Sequence, residues 1–426
     1  MKKYAFVLGS HPLISFLEIL NILNVEKIEH AKPTRIGEEI LLIEMKVTYE
    51  RLRKLQNTLG GTIKIIEIID EYRGTIFGLD ELLNDEHLIK DYFAQTSSKI
   101  NFGFSVYSQK SLVYAEINWL RNFAFQIKRR LKSDYSVRYV DEKNFELSSV
   151  MVANNKLVET GAEIIIIKED KDYLIGRTQT VQDFRSYVQR DMEKPSPNPK
   201  SGMLPPKLAQ MITNLSRNAG QTQVFDPFCG SGVLLQEGLL LGLEVLGSDI
   251  DEEAVESTQE NLKWLLKTFN NAAPKIGRDK IKATSVNGRI RLADATRSKW
   301  QKADHSSVFI ATEPYLGPPQ RSIPLLHNAK KTAQELEKLY VGFFDNLAKN
   351  YSKIKNVGIV FPVLKTNEGL LYLNILEEVE KLGFIRREFL PHEQAKKEAL
   401  SSPRGGLLYS RPEQFVLREI FVFDKK

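Results

Sequence analysis

Val224-Phe-Asp-Pro-Phe-Cys-Gly-Ser-Gly232 is the stretch that decides the fold. An apolar strand runs into a turn containing two glycines, and the turn opens a helical pattern over Val233 to Leu241. Glycines let the backbone approach a ligand closely, and the first turn of a helix offers unpaired N–H donors. The spacing departs from the dinucleotide pattern G-x-G-x-x-G. An acidic pair, Asp249 and Asp251, follows the next strand about twenty residues on, where a carboxylate can accept hydrogen bonds from ribose hydroxyls. Ordinary turn chemistry is the plainer alternative for a glycine turn after a strand.

Working outward, strand-like and helix-like segments alternate. Strands are expected near Gln223 to Phe225, Glu244 to Ser248, Arg289 to Leu292, Val308 to Ala311 and Val357 to Phe361. This predicts an α/β fold with a Rossmann-like, mostly parallel sheet covered by helices on both faces. Phe384 to Phe389 and Phe415 to Phe423 read as an antiparallel pair at its end. Upstream, Asp191 to Lys200 holds three prolines in five residues, as a stiff extended connector does. Before it come a strand at Tyr4 to Leu8, a helix after His11-Pro12 with Leu13, Leu17 and Leu20 on one face, and a strand at Leu41 to Val47. Further strands follow at Thr62 to Asp70, Asn101 to Tyr107, Ser136 to Val140, Ala162 to Ile167 and Tyr173 to Arg177.

The chain has 426 residues, 42% of them hydrophobic, which suffices for two or three cored domains at roughly 100–200 residues each. A lone cysteine, Cys229, excludes an internal disulfide and a cysteine-rich zinc site, and no metal is implied. No run approaches the ~20 apolar residues of a membrane span, and Met1 to Gly9 turns polar too soon for a signal peptide. A cytoplasmic protein without a membrane partner is the expectation. The net charge of +6 is unevenly spread: Ser97 to Val140 holds eight basic residues against two acidic ones. From Ile117 to Lys132, Leu120, Phe123, Ile127 and Leu131 recur at helical spacing, which leaves Arg121, Lys128, Arg129 and Lys132 largely on the other side. Such a stretch is either a localised phosphate footprint or a solvated helix face.

The Asp226 to Gly232 block resembles the cofactor loop of class I S-adenosylmethionine-dependent methyltransferases that act on exocyclic amines. The resemblance implies that Asp226, Gly230 and Gly232 border the methionine part of the cofactor, with Phe228, Leu204 and Pro205 beside them. It further implies that Asp249 holds the ribose and that Asp294, in Leu292-Ala-Asp-Ala295, meets the adenine amine. A helix-capping Asp249 and a surface Asp294 are the bland alternatives.

A wider match joins Gly176 to Asp191, Pro199 to Gln210, Tyr4 to Ser10 and Tyr409 to Ile420, and covers most of the chain. These segments are similar to tRNA guanine-N2 methyltransferases carrying a THUMP domain. That family methylates the guanine at position ten of tRNA and grips the acceptor end through THUMP. The resemblance therefore implies tRNA as partner, phosphate contact by Lys128, Arg129, Arg130 and Lys132, and a pocket shaped by the cofactor loop and Pro205-Pro206-Lys207. It divides the chain into an N-terminal α/β segment (1–50), a THUMP-like RNA-binding domain (51–175), a linker (176–200) and a class I methyltransferase domain (201–426). A small activating subunit is left open.

One segment departs from the family. Amine methyltransferases usually end the fourth strand with Asp or Asn, then Pro-Pro-Tyr or Pro-Pro-Phe; the acceptor orients the amine and the ring stacks on the flipped base. Here Ile310-Ala-Thr-Glu-Pro-Tyr-Leu-Gly-Pro-Pro319 puts Thr312 at the acidic position and Glu313 at the first proline, ahead of Pro314 and Tyr315. Three outcomes follow: Glu313 takes the acceptor role, backbone carbonyls near Thr312 and Glu313 suffice, or the site has lost activity. Glu313 ranks first, because a carboxylate there is costly to bury without a polar partner. The other readings are an amine methyltransferase for adenine N6 in DNA or guanine N2 in ribosomal RNA, and an RNA-binding protein with an inert catalytic domain.

Overall fold

Consecutive residues of a strand point to opposite faces of its sheet, so a strand that is apolar throughout must be covered on both sides. The strand that opens the glycine turn is of this kind. The computed structural model describes residues 1–93, 98–197, 203–272, 281, 288–389 and 401–426. In it Val224 shares a buried cluster with Leu208, Ile212 and Val233, while Phe225 shares another with Trp300, Tyr351 and Phe421. Phe309 and Ala311 join the first cluster, and Val308 and Ile310 the second.

The described residues divide into two units: Met1–Pro12 with Lys27–Phe184, and Leu13–Glu26 with Arg185–Lys426. The first is built on an eight-stranded sheet of β1 (Lys2–Leu8), β2 (Thr34–Ile36), β3 (Ile40–Met45), β4 (Thr62–Arg73), β5 (Lys99–Ser108), β6 (Ser136–Tyr139), β7 (Gly161–Glu169) and β8 (Asp172–Val181), in the order β2-β3-β1-β4-β8-β7-β5-β6. β5 runs parallel to β6 and β7, and the other pairings are antiparallel. The helix Tyr114–Leu131 buries Leu120, Phe123, Ala124, Ile127 and Leu131 against Phe102, Phe104 and Ile164. Inside this unit Lys64 and Glu163 form an ion pair at 2.5 Å with side chains 1% and 0% exposed. Ser105 and Thr178 donate to the same carboxylate, and Lys64 also donates to the Leu147 carbonyl. Those extra bonds offset the desolvation that makes a bare buried ion pair unfavourable.

The second unit carries a nine-stranded sheet: β9 (Gln223–Asp226), β10 (Glu244–Asp249), β11 (Ile290–Leu292), β12 (Val308–Thr312), β13 (Asn356–Thr366), β14 (Gly369–Tyr372), β15 (Phe384–Arg386), β16 (Leu407–Tyr409) and β17 (Val416–Lys425). The main path is β11-β10-β9-β12-β13-β17-β15, with β14 paired to β13 and β16 to β17. β9 to β13 are parallel, and β17 runs antiparallel to both β13 and β15. This is the Rossmann-like, mostly parallel sheet with an antiparallel C-terminal pair, and the N-terminal α/β unit accompanies it. Strand order reverses at β9, which opens a crevice beyond the carboxyl ends of β9 and β12, the usual ligand position in such sheets.

The division differs from the sequence reading in three places. Residues 1–50 do not stand apart, because β1, β2 and β3 pair into the same sheet as β4 to β8. Gly176 to Val181, read as linker, completes β8, and Phe184–Met192 is a helix; residues 198–200 of that linker lie outside the described residues. The helix Pro12–Val25, read with the N-terminal segment, is counted from Leu13 onward with the second unit. Leu13, Ile14 and Leu17 pack there with Leu204, Leu208 and Leu215. Asn21 donates to the carbonyls of Asn214 and Arg217, and Asn214 donates to the buried Glu18. A helix apolar on nearly every side must be enclosed on more than one face, which an edge position cannot provide. Among the described residues no helix is long and apolar enough to cross a membrane.

Removing one partner of the Lys64–Glu163 pair leaves a charge buried without compensation. Lys64→Met is expected to cost about 3–5 kcal/mol of stability, and Lys64→Met with Glu163→Gln clearly less than the two single losses combined. Urea unfolding followed by Trp119 fluorescence reads both.

Candidate active site

β9 and β12 are parallel neighbours and each ends in a polar residue. Asp226 closes β9 and is 2% exposed; its Oδ1 accepts from the Phe228 N–H at 3.1 Å and from the Thr312 hydroxyl at 2.6 Å. The chain then turns through Gly230 (φ 53°) and Gly232 (φ 80°), both in the left-handed region that favours glycine. At Gly232 a Cβ would also meet the Thr258 methyl at 2.9 Å. Gly232 caps the helix Val233–Leu240. The neighbouring helix Glu252–Ala272 braces the turn: Thr258 donates to the Gly230 carbonyl at 2.7 Å, and Asn261 donates to Ser231 and Ser196 carbonyls at 2.9 Å.

A cavity of about 430 Å³ opens on this turn. Leu204, Phe228, Gly230, Asp226, Asp249, Ile250 and the run Glu313 to Leu316 are among its lining residues. Asp249 ends β10 and spans the turn, with Oδ2 accepting from Gly230 N–H at 2.9 Å and Oδ1 from Asp251 N–H at 3.1 Å. Glu313 accepts from Arg418 through both oxygens, Nε to Oε2 at 2.5 Å and Nη2 to Oε1 at 3.0 Å. Tyr315 is 53% exposed, and its carbonyl takes the buried Tyr340 hydroxyl at 2.6 Å, so the backbone is pinned while the ring stays open.

Burial dominates the electrostatics. It pushes Asp226 up to about 7, against the Thr312 and Phe228 hydrogen bonds that favour the ionised form, and nearby Asp249 and Glu313 add to the rise. Asp249 is raised for the same reason, opposed by the N–H groups of Gly230, Asp251 and Ile250. Burial next to these carboxylates also raises the Cys229 thiol, which is packed in the turn as a protonated group. Opposed to them, Arg418 is buried but held above its ordinary value by Glu313.

Of the residues singled out from sequence, the structure brings Asp226, Phe228, Gly230, Asp249, Leu204, Glu313, Pro314 and Tyr315 to one cavity. Gly232 lies just behind the turn, and Pro205 caps the helix Pro206–Ser216. Thr312 is fully buried and donates to Asp226, and it is not among the residues that line the cavity. Asp294 is not among the lining residues and caps its own turn, accepting from Thr296 N–H at 2.8 Å and from the Thr296 hydroxyl at 2.6 Å. In the N-terminal unit Arg129, Arg130 and Lys132 are exposed and Lys128 half-buried. Arg130 forks onto Asp85 at 2.9 Å; Lys128, Arg129 and Lys132 have no ion-pair partner among the described residues. Sequence reasoning missed Arg418, Tyr340, Thr258 and Asn261. Arg418 falls inside the Tyr409 to Ile420 segment that carried the family likeness, but nothing local ties it to Glu313, 105 residues earlier.

A sheet of this order, with a glycine turn at its switch point and a Glu-Pro-Tyr segment on the same cavity, defines a class I methyltransferase fold. Residues 196–381 match the family model described as RMKL-like, methyltransferase domain. A model described as DNA methylase matches residues 92–260. Among curated relatives, the tRNA (guanine(10)-N2)-dimethyltransferase of Methanothermobacter thermautotrophicus is 47% identical over 62 residues, 15% of this chain and 18% of the relative. The enzyme of that name from Methanocaldococcus jannaschii is 27% identical over 156 residues, 35% of this chain and 44% of the relative. The chain thus spans less than half the length of these relatives. Among solved structures, TrmN from Thermus thermophilus superposes over the whole of both chains with a TM-score of 0.53 at 14% identity, a likeness of fold.

The raised Asp226 has a sign that can be read in stability. Its folded value lies above that of the unfolded chain, so its contribution is fully present below the ordinary aspartate value and is lost as pH rises through about 7. Asp226→Asn keeps an acceptor for Thr312 and is expected to abolish this loss. Thermal unfolding of both proteins from pH 4 to 8 should show a gap that widens with pH in favour of the variant.

Proposed function

We propose that the protein methylates the exocyclic N2 amine of a guanine in tRNA, at position ten, using S-adenosylmethionine. The observation that carries this reading is the meeting of the Asp226–Gly232 turn, Asp249 and the Glu313-Pro314-Tyr315 segment on one cavity. The residues fit an adenosyl sulfonium: two carboxylates face a turn whose Gly230 has open space where a Cβ would stand, and Leu204, Phe228 and Ile250 offer apolar walls. When bound, the cofactor supplies an electrophilic methyl group.

The chain's own task is then to place an amine in line with that methyl and to exclude water. Asp249 accepts from ribose hydroxyls, Asp226 and the turn border the methionine arm, and Asp294 takes the adenine amine after leaving its local turn. Glu313 accepts an N–H of the guanine amine so that the nitrogen lone pair points at the methyl. Tyr315, its ring exposed at the cavity, stacks on the flipped base. In the N-terminal unit, read as THUMP-like, Lys128, Arg129 and Lys132 contact tRNA phosphate, while Arg130 contributes less because Asp85 already holds it. The names of the curated relatives support tRNA as substrate. The DNA methylase match and the Thr312-Glu313 departure favour a second reading, amine methylation of another nucleic acid.

Labelled methyl transfer to an unmodified tRNA transcript, with nucleoside mass analysis, decides between them. The expected product is N2-methylguanosine, with transfer reduced at least about a hundredfold in Glu313→Ala. Absence of transfer to tRNA together with transfer to DNA or ribosomal RNA moves the reaction to the second substrate class. For the basic helix, Lys128→Ala, Arg129→Ala and Lys132→Ala combined are expected to weaken tRNA binding and to lower the slope of log affinity against log salt by roughly one for each phosphate that goes unneutralised. Unchanged binding returns that helix to a solvated face.

A further inference from the structure

Arg418 sits on β17, opposite Pro362 of β13, with its side chain 5% exposed. Its neighbour Glu419 points to the other face of the strand and is fully buried against Arg404. Two successive positions of one strand are thus committed to two separate ion pairs, and one of them ends at the cavity.

We propose that Arg418 is a positioning residue for Glu313, holding its carboxylate in the single orientation that presents it to the substrate amine. This rests on the reading of Glu313 as the acceptor. Glutamate has one more rotatable bond than the aspartate or asparagine usual in this motif, and here it departs from the neighbouring position. Reach is gained and orientation is lost, and a misplacement of about 1 Å can cost a hundredfold in rate. A guanidinium fork restores the orientation because its two donors match both carboxylate oxygens at once. It uses one lone pair on each oxygen and leaves others to accept from an amine.

The charges around Glu313 make the same demand. Asp226 at the end of β9 is a second carboxylate whose own ionisation Glu313 opposes, and the hydroxyl of Tyr340 on the helix Leu326–Asn350 lies in the field of Glu313. Tyr409 on β16 lies in the field of Arg418. Arg418 is the cation bonded to this group. Without it, the carboxylate would lose the fork that fixes both of its oxygens and would be free to turn away from the amine.

The test compares wild type with Arg418→Gln, Arg418→Lys, Glu313→Gln and the double variant Glu313→Gln/Arg418→Gln, measuring kcat and KM for tRNA at one fixed pH. Arg418→Gln is expected to lower kcat about a hundredfold and to leave KM for tRNA within twofold. Arg418→Lys should regain part of the loss. The double variant carries no buried charge at the pair, so it should fold well and be as slow as Glu313→Gln alone, because Arg418 acts only through Glu313. No kcat loss in Arg418→Gln, a loss carried by KM instead, or a double variant much slower than Glu313→Gln alone overturns this role while wild-type transfer stands. A wild type that transfers methyl to no nucleic acid overturns the functional reading, and this role with it.

Discussion

The Asp226 carboxylate takes the Phe228 N–H and the Thr312 hydroxyl at the ends of two adjacent parallel strands, and so sews two loops of different sequence origin into one wall. One loop carries the glycines and the other carries Glu313, Pro314 and Tyr315. Neither has a regular hydrogen-bonding ladder of its own, so the buried carboxylate supplies what the ladder no longer does. Asp249 repeats the device one strand over by accepting from the Gly230 N–H. The cavity is shaped by acceptors placed where strands stop.

The parallel sheet was legible because its strands are apolar on both faces and alternate with helical patterns, and the glycine turn was legible because few residues other than glycine adopt φ of 53° and 80°. Most of the candidate site followed from that turn, since Asp249 and Glu313 lie at the ends of strands already recognised. Asp294 was located in sequence at a strand end, but its side chain satisfies its own turn first, as short carboxylates commonly do. Arg418 and Tyr340 escaped notice because their roles depend on which strand and helix stand beside the cavity, a fact of topology that local pattern does not carry. The placement of Pro12–Val25 escaped for the same reason: a mostly apolar helix declares that it is buried and is silent on where.

Against the motif that Thr312-Glu313-Pro314-Tyr315 resembles, the acidic residue stands one position later. An aspartate at position 312 would face Asp226 at hydrogen-bonding distance, two buried carboxylates competing for one proton. Threonine turns that contact into a donor–acceptor bond. The negative charge moves one residue along the chain, to a place where β17 supplies a guanidinium. Charge at the cavity is kept, while the strand that balances it comes from the far end of the sequence.

The second unit is assembled from residues 13–26 and 185–426. A ribosome releases the first of these pieces long before the second, and the helix Pro12–Val25 has to wait, with Ile14 and Leu17 uncovered, until Leu208 and Leu215 emerge. Closing a contact across so many residues is slow relative to local folding, and exposed apolar surface in the interval favours association with other chains. Maturation of the methyltransferase domain is therefore tied to a helix made well before the rest of it, and a fragment beginning at the proline-rich connector would lack a wall of its own core.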